Sequence, residues 1–349
     1  MQAYSIISRN FRRSLHILSG LQPSGKLHLG NYYGVISPIL DFQDAIRQQN
    51  NTLHDSPSPT MFFEIANLHS LTTSKPDTVK RMVYESFAML LASGLDPAMV
   101  TIFRQSDVPE HAALMWMLLC KTSLCQLSSM IQWKEKASAF GENCGLLTYP
   151  VLQAADILLY ATDLVIVGPD QVQHLELASK IVQKINSTYP RANIVRPEAR
   201  VSRVRIMDLR NPLSKMSKSS LSRDGCIFLD DSAETIKLKF MRAVTGCNET
   251  IIFDKDRFPG ISSLIEIFST IENTTPCNIV SRYSSLRNDF SAFKTDLSDA
   301  IIAKLQPIKA MYNDLLQNRD YLEKTLLHGG EKARLVAAVN YKTFLDVFT

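Results

Sequence analysis

The sequence predicts an α/β fold with a parallel sheet, followed by a helical C-terminal region. From position 15 to about 209, short apolar runs typical of strands alternate with segments of helical periodicity, which is the pattern of βαβ units. Beyond position 219 the alternation stops and only helical patterns remain. A chain of 349 residues can form two or three domains, and its 45% hydrophobic and 21% charged residues are those of an ordinary globular protein.

The individual elements follow from where apolar runs begin and end. Four runs predict strands, at 15–21, 61–66, 100–104 and 163–167. Between and after them, helical periodicity predicts helices at 29–49, 74–94, 109–121 and 149–160. In the third of the chain after the alternation stops, helices are predicted at 233–244, 262–271, 293–316 and 331–348.

Three smaller signals refine these elements. Ser74 offers a capping hydroxyl and Asp77 an acid in the first turn of the helix that follows. The polar stretch 50–59, with two prolines, predicts a surface loop. Pro307 is expected to break or kink its helix, because proline has no backbone N–H to donate.

Composition limits the function. The net charge of +4 permits a polyanionic partner but does not require one. No apolar run reaches the roughly 18 residues that a membrane-spanning helix needs. The six cysteines form no C-x-x-C pair and have no histidine at zinc-ligand spacing, so we expect reduced thiols and assign no metal ligands.

The N-terminal composition predicts a targeting segment. The first 40 residues hold four basic residues, no acidic ones, and interspersed serines and apolar residues, which is typical of an organelle transit peptide. We therefore predict a mitochondrial transit segment over 1–14 and a location in the mitochondrial matrix. The alternative is a frayed basic N-terminus.

A first candidate for nucleotide chemistry lies where a strand should turn into a helix. Ser19–Asn31 is rich in small residues and places His28 and Asn31 in the first helical turn, where N–H groups and the helix dipole favour anionic oxygens. Gly20 to Lys26 also half-matches a phosphate-binding P-loop. That motif needs a Ser or Thr hydroxyl next, and this chain has Leu27, so the P-loop is disfavoured.

A second candidate lies about 190 residues further on. Lys215–Ser219 puts two ammonium groups and two hydroxyls on one short loop, which suits a pyrophosphate group in transit. Taken alone, such a segment could equally be a solvated turn. Together with His28–Asn31 upstream and an α/β pattern between, it becomes a specific signal.

The two segments together resemble the signatures of class I aminoacyl-tRNA synthetases. Four further blocks resemble the tryptophanyl-tRNA synthetases of the bacterial and mitochondrial type, and the resemblance extends from about residue 17 to the C-terminus. These blocks are 108–112, 145–160, 165–171 and 259–262. The resemblance implies a Rossmann-like catalytic domain over 15–210. It also implies a region over 211–349 that holds the signature loop 215–219 and an α-helical anticodon-binding part, with the option that the last helices pack back on the catalytic domain.

The resemblance also implies an activity. A member of this family activates L-tryptophan with ATP to tryptophanyl-adenylate and pyrophosphate, then transfers it to tRNA(Trp). Mg²⁺ would arrive with ATP or pyrophosphate, without a dedicated protein site, and the protein would be a homodimer. Three alternatives stay open: a tyrosyl-tRNA synthetase, a catalytically inactive relative that binds RNA, and a small nucleotidyltransferase.

Site residues carry over from the family by position. The catalytic residues implied are His28, Asn31, Lys215 and Lys218. The ATP-binding residues implied are Gln22, Pro23, Ser24, Gly30, Asn31, Gly168, Pro169, Asp170, Ile206, Lys215, Met216, Ser217, Lys218 and Ser219. The tryptophan-binding residues implied are Leu18, His69, Tyr149, Gln153, Asp156, Val165, Val167 and Gln171. Two positions depart from the family: Pro169 and Ser220 stand where acidic residues are usual.

The chemistry of the pocket segment fits this resemblance. Tyr149, Gln153 and Asp156 lie at spacings of four and three, so on a helix they share one face. A buried Asp is costly unless paired, and an indole N–H is a donor that it could accept. An aliphatic substrate would leave Asp156 unpaired. The alternative is that Asp156 caps or pairs with another segment of the chain.

Overall fold

The computed structural model describes residues 14–50, 58–202, 204–217, 223–246, 250–283 and 289–349. Several sequence predictions fall outside these ranges. The predicted transit segment lies outside them except for Ser14, as does most of the predicted loop at 50–59. Lys218, Ser219 and Ser220 also lie outside the described residues.

The described residues form one parallel sheet of five strands, in the order β3-β2-β1-β4-β5, so the predicted α/β class is confirmed. The strands are β1 His16–Leu21, β2 Thr60–Ile65, β3 Val100–Arg104, β4 Leu164–Val167 and β5 Glu198–Val201. The first four match the predicted runs. β5 was not predicted, because it lies at the sheet edge and its residues are mostly exposed rather than apolar and buried.

Eleven helices of eight residues or more are present in the described ranges. They are α1 Ser37–Asn50, α2 Pro76–Ala92, α3 Glu110–Leu119, α4 Ile131–Phe140, α5 Cys144–Leu158, α6 Val172–Thr188, α7 Ala233–Met241, α8 Pro259–Ile271, α9 Pro276–Tyr283, α10 Phe290–Gln317 and α11 Arg319–Phe348. The predicted helix at 29–49 is interrupted. A three-residue turn, Leu29–Asn31, is followed by a π-helical segment, Tyr32–Ile36, before α1 begins.

Two local predictions differ in part from the structure. The residue before α2 is Lys75 rather than Ser74, and it makes no side-chain cap, because a lysine ammonium group cannot accept a hydrogen bond from a backbone N–H. α10 is not broken at Pro307. The buried Leu305 and Ile308 on either side anchor the helix to its core, so the loss of one backbone hydrogen bond does not end it.

The chain divides into two compact units, each formed by separate stretches of sequence. The sheet unit comprises the described residues of Met1–Ser24, Val35–Ser202 and Asn318–Thr349. The helical unit comprises those of Gly25–Gly34 and Arg203–Gln317. This division differs from the predicted boundary near 210, because a short segment around His28 groups with the helical unit and α11 groups with the sheet.

The core of the sheet unit positions the residues discussed below. α11 packs on β3, and α3, α5 and α6 pack together on the sheet. β1 lies between β2 and β4, which sets Leu18 opposite Val165 and Gly20 opposite Glu64. Among the described residues, none of the helices combines the length and the hydrophobicity that spanning a membrane requires.

Candidate active site

Polar side chains that follow two neighbouring strands meet a carboxylate from α5. Gln105 comes directly after β3, and His69 follows β2 in a short helix, Asn67–Ser70. The carboxyl ends of parallel strands share one edge of the sheet, and in such folds ligands bind at that edge. Gln105 Nε2 donates to Asp156 Oδ1 at 2.9 Å, and His69 Nε2 lies 2.8 Å from Asp156 Oδ2.

His111 on α3 supplies a third donor to the same carboxylate. Its Nδ1 lies 2.6 Å from Asp156 Oδ1, and its Nε2 lies 2.8 Å from the hydroxyl of Tyr160. Because an ionised carboxylate can only accept, His111 carries a proton on Nδ1 toward Asp156, and its Nε2 is hydrogen-bonded to the Tyr160 hydroxyl. This buried pair of hydrogen bonds fixes the orientation of the imidazole.

The Asp156 cluster holds a buried negative charge. Asp156 is only 4% exposed, and the side chains bonded to it are also buried. Burial by itself would raise the pKa of Asp156, but the hydrogen bonds from His111 and His69 outweigh it and lower that pKa. Asp156 is therefore ionised at neutral pH. The structure shows the alternative, in which Asp156 pairs with other segments of the chain. This pairing is compatible with a role of Asp156 in binding a substrate.

A second polar cluster lies along the same face of α5, around Tyr149. The Tyr149 hydroxyl donates to Gln132 Oε1 at 2.6 Å and lies 3.2 Å from His174 Nε2. His174 Nδ1 lies 2.9 Å from both Gln153 Oε1 and Gln171 Oε1. Three of the residues predicted from the family, Tyr149, Gln153 and Gln171, are therefore brought together.

The residue at the centre of this second cluster, His174, was not predicted. It is fully buried on α6, and burial together with the positive charge of Lys136 lowers its pKa to about 4. Its ring is therefore neutral near pH 7, and Nδ1 carries the proton because two carbonyl oxygens face it. One signal could have found it: His174 lies in the first turn of α6, three residues after Gln171, which immediately precedes that helix.

The two clusters contact each other through aromatic rings. The rings of His69 and Tyr149 pack edge to face with centroids 6.0 Å apart, and those of Tyr149 and His174 are 5.1 Å apart. The spacing of four and three along α5 thus places Tyr149, Gln153 and Asp156 in one continuous polar strip. Burial raises the pKa of Tyr149, so its hydroxyl stays protonated and can donate.

The predicted apolar walls lie in the sheet core. Leu18, Val165 and Val167 are buried and belong to the same core cluster as α5. After β4 the chain enters a short 3-10 turn, Pro169–Gln171, with Gly168 before it. The Asp170 backbone carbonyl accepts from Gln132 Nε2 at 2.7 Å, which joins this turn to the Tyr149 cluster. Gln22, Pro23 and Ser24 follow β1, where the Ser24 N–H donates to the Gln22 carbonyl at 2.9 Å.

In the helical unit, His28 caps the turn Leu29–Asn31. Its Nδ1 accepts from the Gly30 N–H at 3.0 Å, and its own N–H donates to Asn31 Oδ1 at 3.2 Å. The capping side chains are thus the two predicted catalytic residues themselves. Their reciprocal bonds have the form of a capping box.

The sequence predicted that free N–H groups at this turn would bind anionic oxygens, and this part of the prediction was wrong. Its amides were expected to offer N–H groups to phosphate oxygens. Instead, Leu29 donates to the Ile227 carbonyl at 3.0 Å, Gly30 to the His28 ring, and Asn31 to the His28 carbonyl at 2.8 Å. The turn is too short and too fully bonded to act as a helix N-terminus toward a ligand.

The second signature loop lies beside this turn. Lys215 is exposed, whereas Met216 is buried and its N–H donates to the Ile206 carbonyl at 3.0 Å. A methyl group built on Gly30 would lie 3.8 Å from the Met216 carbonyl oxygen. The described part of the loop, Lys215–Ser217, and the His28 turn therefore adjoin within one unit, and Ile206 anchors the loop through its backbone.

Lys26 has a structural partner in the same unit. Its ammonium group pairs with the carboxylate of Asp230. Together with Leu27 in place of a hydroxyl residue, this pairing argues against the P-loop interpretation.

Residues 9–306 match the family model described as tRNA synthetases class I (W and Y). A tryptophan–tRNA ligase of Rickettsia bellii is 42% identical over 337 residues, covering 95% of this chain and 98% of that protein.

Solved structures agree with this match. A tryptophanyl-tRNA synthetase from Mycoplasma pneumoniae has a TM-score of 0.79 and 32% identity, covering 96% of this chain and 98% of its own. The Campylobacter jejuni tryptophanyl-tRNA synthetase solved with ADP and tryptophan has a TM-score of 0.77 and 30% identity, covering 95% and 99%.

The predicted location in the mitochondrial matrix is wrong by the same comparison. The similar curated proteins come from bacteria, including species of Rickettsia, Clostridium and Tropheryma. A basic, acid-free stretch at the start of a sequence reflects composition alone, and here it misled the prediction.

Proposed function

The chain belongs to the class I tRNA synthetases of tryptophan and tyrosine, and among them to the tryptophan–tRNA ligases; from this premise we propose how its residues carry out the two steps. In the first step the carboxylate of L-tryptophan attacks the α-phosphorus of ATP, which gives tryptophanyl-adenylate and pyrophosphate. In the second step the tryptophanyl group passes to the terminal ribose of tRNA(Trp).

The observation that carries this proposal is the polar strip on α5. The Asp156 end presents a buried, ionised carboxylate next to apolar walls formed by Leu18 and Val165. That combination suits the indole of tryptophan, which is apolar except for one N–H donor. The ring of His69 contacts both Asp156 and Tyr149, so His69 lies between the Asp156 end and the Tyr149 end of the strip.

The Tyr149 end suits the α-ammonium group of the amino acid. Tyr149, Gln153 and Gln171 supply hydroxyl and carbonyl oxygens, and the neutral His174 orients them without adding a positive charge that would repel an ammonium group. Val167, at the end of β4, belongs to the apolar core next to this strip. The two ends thus offer different chemistry, which suits the two ends of one substrate.

For the nucleotide, we retain the assignments implied by the family. Residues proposed to contact ATP are Gln22, Pro23, Ser24, Gly30, Asn31, Gly168, Pro169, Asp170, Ile206 and Lys215–Ser219. The chemistry needs little acid or base, so catalysis comes mainly from positioning and from stabilising charge on the phosphoryl oxygens. Lys215 and Lys218 would bind the departing pyrophosphate, and His28 and Asn31 would act from the capped turn.

Mg²⁺ is proposed to enter as its complex with ATP. Among the described residues, one cluster of titratable side chains could hold a cation. It consists of Glu64, His69 and Asp156. It contains an imidazole and lies buried in the sheet unit, whereas Mg²⁺ prefers oxygen ligands and retains several waters. We therefore assign no protein ligand to the magnesium ion.

A homodimer is proposed from exposed apolar side chains of the sheet unit. Four large apolar side chains at positions 116 to 140 are exposed. Contact with a second copy of this chain would remove them from water. They are Trp116, Leu124, Ile131 and Phe140. Light scattering on the purified protein should give twice the monomer mass, and Trp116→Arg should shift it to the monomer. A monomeric wild-type protein at micromolar concentration would contradict the proposal.

The proposed reaction is tested by pyrophosphate exchange into ATP with each amino acid in turn. We expect exchange with tryptophan alone. Asp156→Asn should lower kcat/KM for tryptophan by about 10²-fold or more, because it removes the buried charge that the surrounding donors require. Asp346→Asn, an exposed position on α11, is the matched control and should leave exchange unchanged.

The other outcomes identify the remaining alternatives. Exchange with tyrosine instead would assign the chain to the sister group. Absence of exchange with any amino acid, in a folded sample that binds ATP, would indicate a relative that only binds RNA. Charging of tRNA(Trp) then tests the second step separately.

A further inference from the structure

Lys239 is a buried cation that the proposed reaction does not use. It lies on α7 in the helical unit and is 6% exposed. Its ammonium group donates to the Cys226 carbonyl at 2.8 Å and to Asp231 Oδ2 at 2.6 Å. Because a buried charge is costly unless it is paired and hydrogen-bonded, this lysine depends on the segment 226–231, which supplies both acceptors.

Asp231 links this lysine to a tight turn. Asp231 Oδ2 also accepts the Phe228 N–H at 2.9 Å, and the Asp231 N–H donates to the Phe228 carbonyl at 3.2 Å. Lys309 on α10 donates to the Asp231 carbonyl at 3.3 Å. The turn Phe228–Asp231 is therefore closed by its own last residue, and two lysines hold that residue in place.

The same turn pairs with the first signature segment. His28 lies opposite Phe228 in an antiparallel bridge. Two backbone hydrogen bonds flank this bridge: the Leu29 N–H to the Ile227 carbonyl at 3.0 Å, and the Leu229 N–H to the Leu27 carbonyl at 2.9 Å. The backbone at His28 is thus held against the residue whose N–H is accepted by Asp231.

The ion pair and the closure of the turn can be changed independently. Lys239 and Asp231 carry opposite charges on side chains that are 7% and 14% exposed. Removing one partner of a buried pair leaves the other charge uncompensated, whereas replacing both by neutral side chains of similar size is often tolerated. An asparagine in place of Asp231 would keep an acceptor for the Phe228 N–H, and a leucine would not.

We propose that Lys239 and Asp231 are positioning residues for the first signature. Their ion pair keeps the turn Phe228–Asp231 closed, and the turn holds the capped segment His28–Asn31 in its reactive position. Neither side chain touches a substrate, and both act through the backbone of the turn. The inference rests on the proposed function, since it requires His28 and Asn31 to act on ATP.

The location of the pair predicts which kinetic constant responds to its loss. The residues proposed to bind tryptophan, among them Asp156 and Tyr149, belong to the sheet unit, whereas Lys239, Asp231 and His28 belong to the helical unit. A displaced His28 turn should therefore lower kcat with little change in the KM for tryptophan. A displacement of about 1 Å can cost about 100-fold in rate when a positioned group acts in the transition state.

The test is pyrophosphate exchange into ATP with tryptophan, measured on two double variants that lack both charges. Asp231→Asn with Lys239→Met keeps an acceptor for the Phe228 N–H, so its kcat should remain close to that of the wild-type protein. Asp231→Leu with Lys239→Met removes that acceptor, so its kcat should fall about 10- to 100-fold. The KM for tryptophan should be similar in both.

Single variants test the lysine itself. Lys239→Met leaves the Asp231 carboxylate buried without its cation, so kcat should fall as in the leucine double variant, and adding Asp231→Asn should restore it. Lys237→Met, at an exposed position on the same helix, is the matched control and should keep the wild-type kcat. Thermal denaturation of each variant identifies an assay temperature at which all of them are folded.

Two results would overturn the proposal. A folded leucine double variant with the wild-type kcat, even one with a lowered melting temperature, would show that closure of the turn serves stability alone. A loss in kcat accompanied by an equally large rise in the KM for tryptophan would show a general loosening of the protein rather than a displaced His28.

Failure of this inference is distinguishable from failure of the proposed function. If the wild-type protein exchanges with tryptophan but kcat does not depend on the pair, only the role of Lys239 and Asp231 is refuted. If the wild-type protein does not exchange with tryptophan at all, the proposed function is refuted, and this inference with it.

Discussion

The N–H of Gly30 donates to Nδ1 of His28 at 3.0 Å. A methyl group on Gly30 would lie 2.8 Å from Cε1 and 2.9 Å from Nδ1 of the same ring. The glycine is therefore required by the histidine that it helps to orient. This relationship explains the pattern His-x-Gly in the first signature without reference to any ligand.

Gly30→Ala should displace the His28 ring and weaken catalysis. Inserting a methyl group into a packed contact typically costs about 1–3 kcal/mol, so we expect the rate of pyrophosphate exchange to fall about 10-fold or more. Gly34→Ala is the matched control, because a methyl group there would have nothing within 4 Å. Equal activity of the two variants would show that the orientation of His28 is irrelevant to the reaction.

Lys215→Ala tests the described part of the second loop. If the ammonium group stabilises the departing phosphates, kcat for exchange should fall about 10²-fold, with a much smaller change in the KM for tryptophan. Lys80→Ala, at an exposed position on α2, provides the control. A change confined to the KM for tryptophan would argue for a role in ground-state binding instead.

His174→Leu should raise the KM for tryptophan about tenfold, because Gln153 and Gln171 would lose the donor that orients them. The change in kcat should be smaller, since His174 does not contact the phosphates in the proposed mechanism. The exposed His328→Leu on α11 is the control. An unchanged KM in a correctly folded His174→Leu would remove His174 from the ammonium site.

The buried ring of His174 should also make the stability of the protein depend on pH. Burial and Lys136 lower the pKa of His174 from 6.5 to about 4. Between these values the unfolded chain binds a proton that the folded chain does not, so the free energy of unfolding should decrease as the pH falls through this window. Urea denaturation at several pH values should show a shallower decrease for His174→Leu. Parallel curves for both proteins would contradict the assignment of a neutral, buried ring.

Gly329→Ala tests the packing of α11 on the sheet. A methyl group at this position would lie 1.9 Å from the carbonyl oxygen of Ile102 in β3, so the helix would have to move away from the strand. We expect a large loss of stability in thermal denaturation, by several kcal/mol. Gly145→Ala in α5 is the control, because its methyl group would make ordinary contacts of 3.4 and 3.5 Å. Similar melting temperatures for both variants would contradict this packing.

The sheet could be predicted because four of its five strands are short, apolar and mostly buried. β1, β2, β3 and β4 stand out as short hydrophobic runs, as buried parallel strands do. β5 does not, because Glu198, Ala199 and Val201 are exposed at the edge. The joining of the His28 segment to the helical unit also escaped prediction. It depends on backbone hydrogen bonds such as Leu29 to Ile227, which link residues about 200 positions apart without involving side chains.

The site was predictable where residue spacing carries information and unpredictable where partners are distant. Tyr149, Gln153 and Asp156 follow from the period of one helix. His174 and Glu64 do not, because a single histidine in a helix or a single acid in a strand usually faces solvent. Only the fold shows that Glu64 lies beside Asp156, which follows it by 92 positions.

The packing of α11 on β3 has a consequence for how the protein is made. The sheet unit needs residues from both ends of the chain, and α11 comprises Arg319–Phe348. While a ribosome still holds these residues in its exit tunnel, the edge of the sheet at Ile102 and Phe103 is uncovered. Completion of the sheet unit must therefore follow synthesis of α11, and the nascent chain is exposed to aggregation through that edge until then.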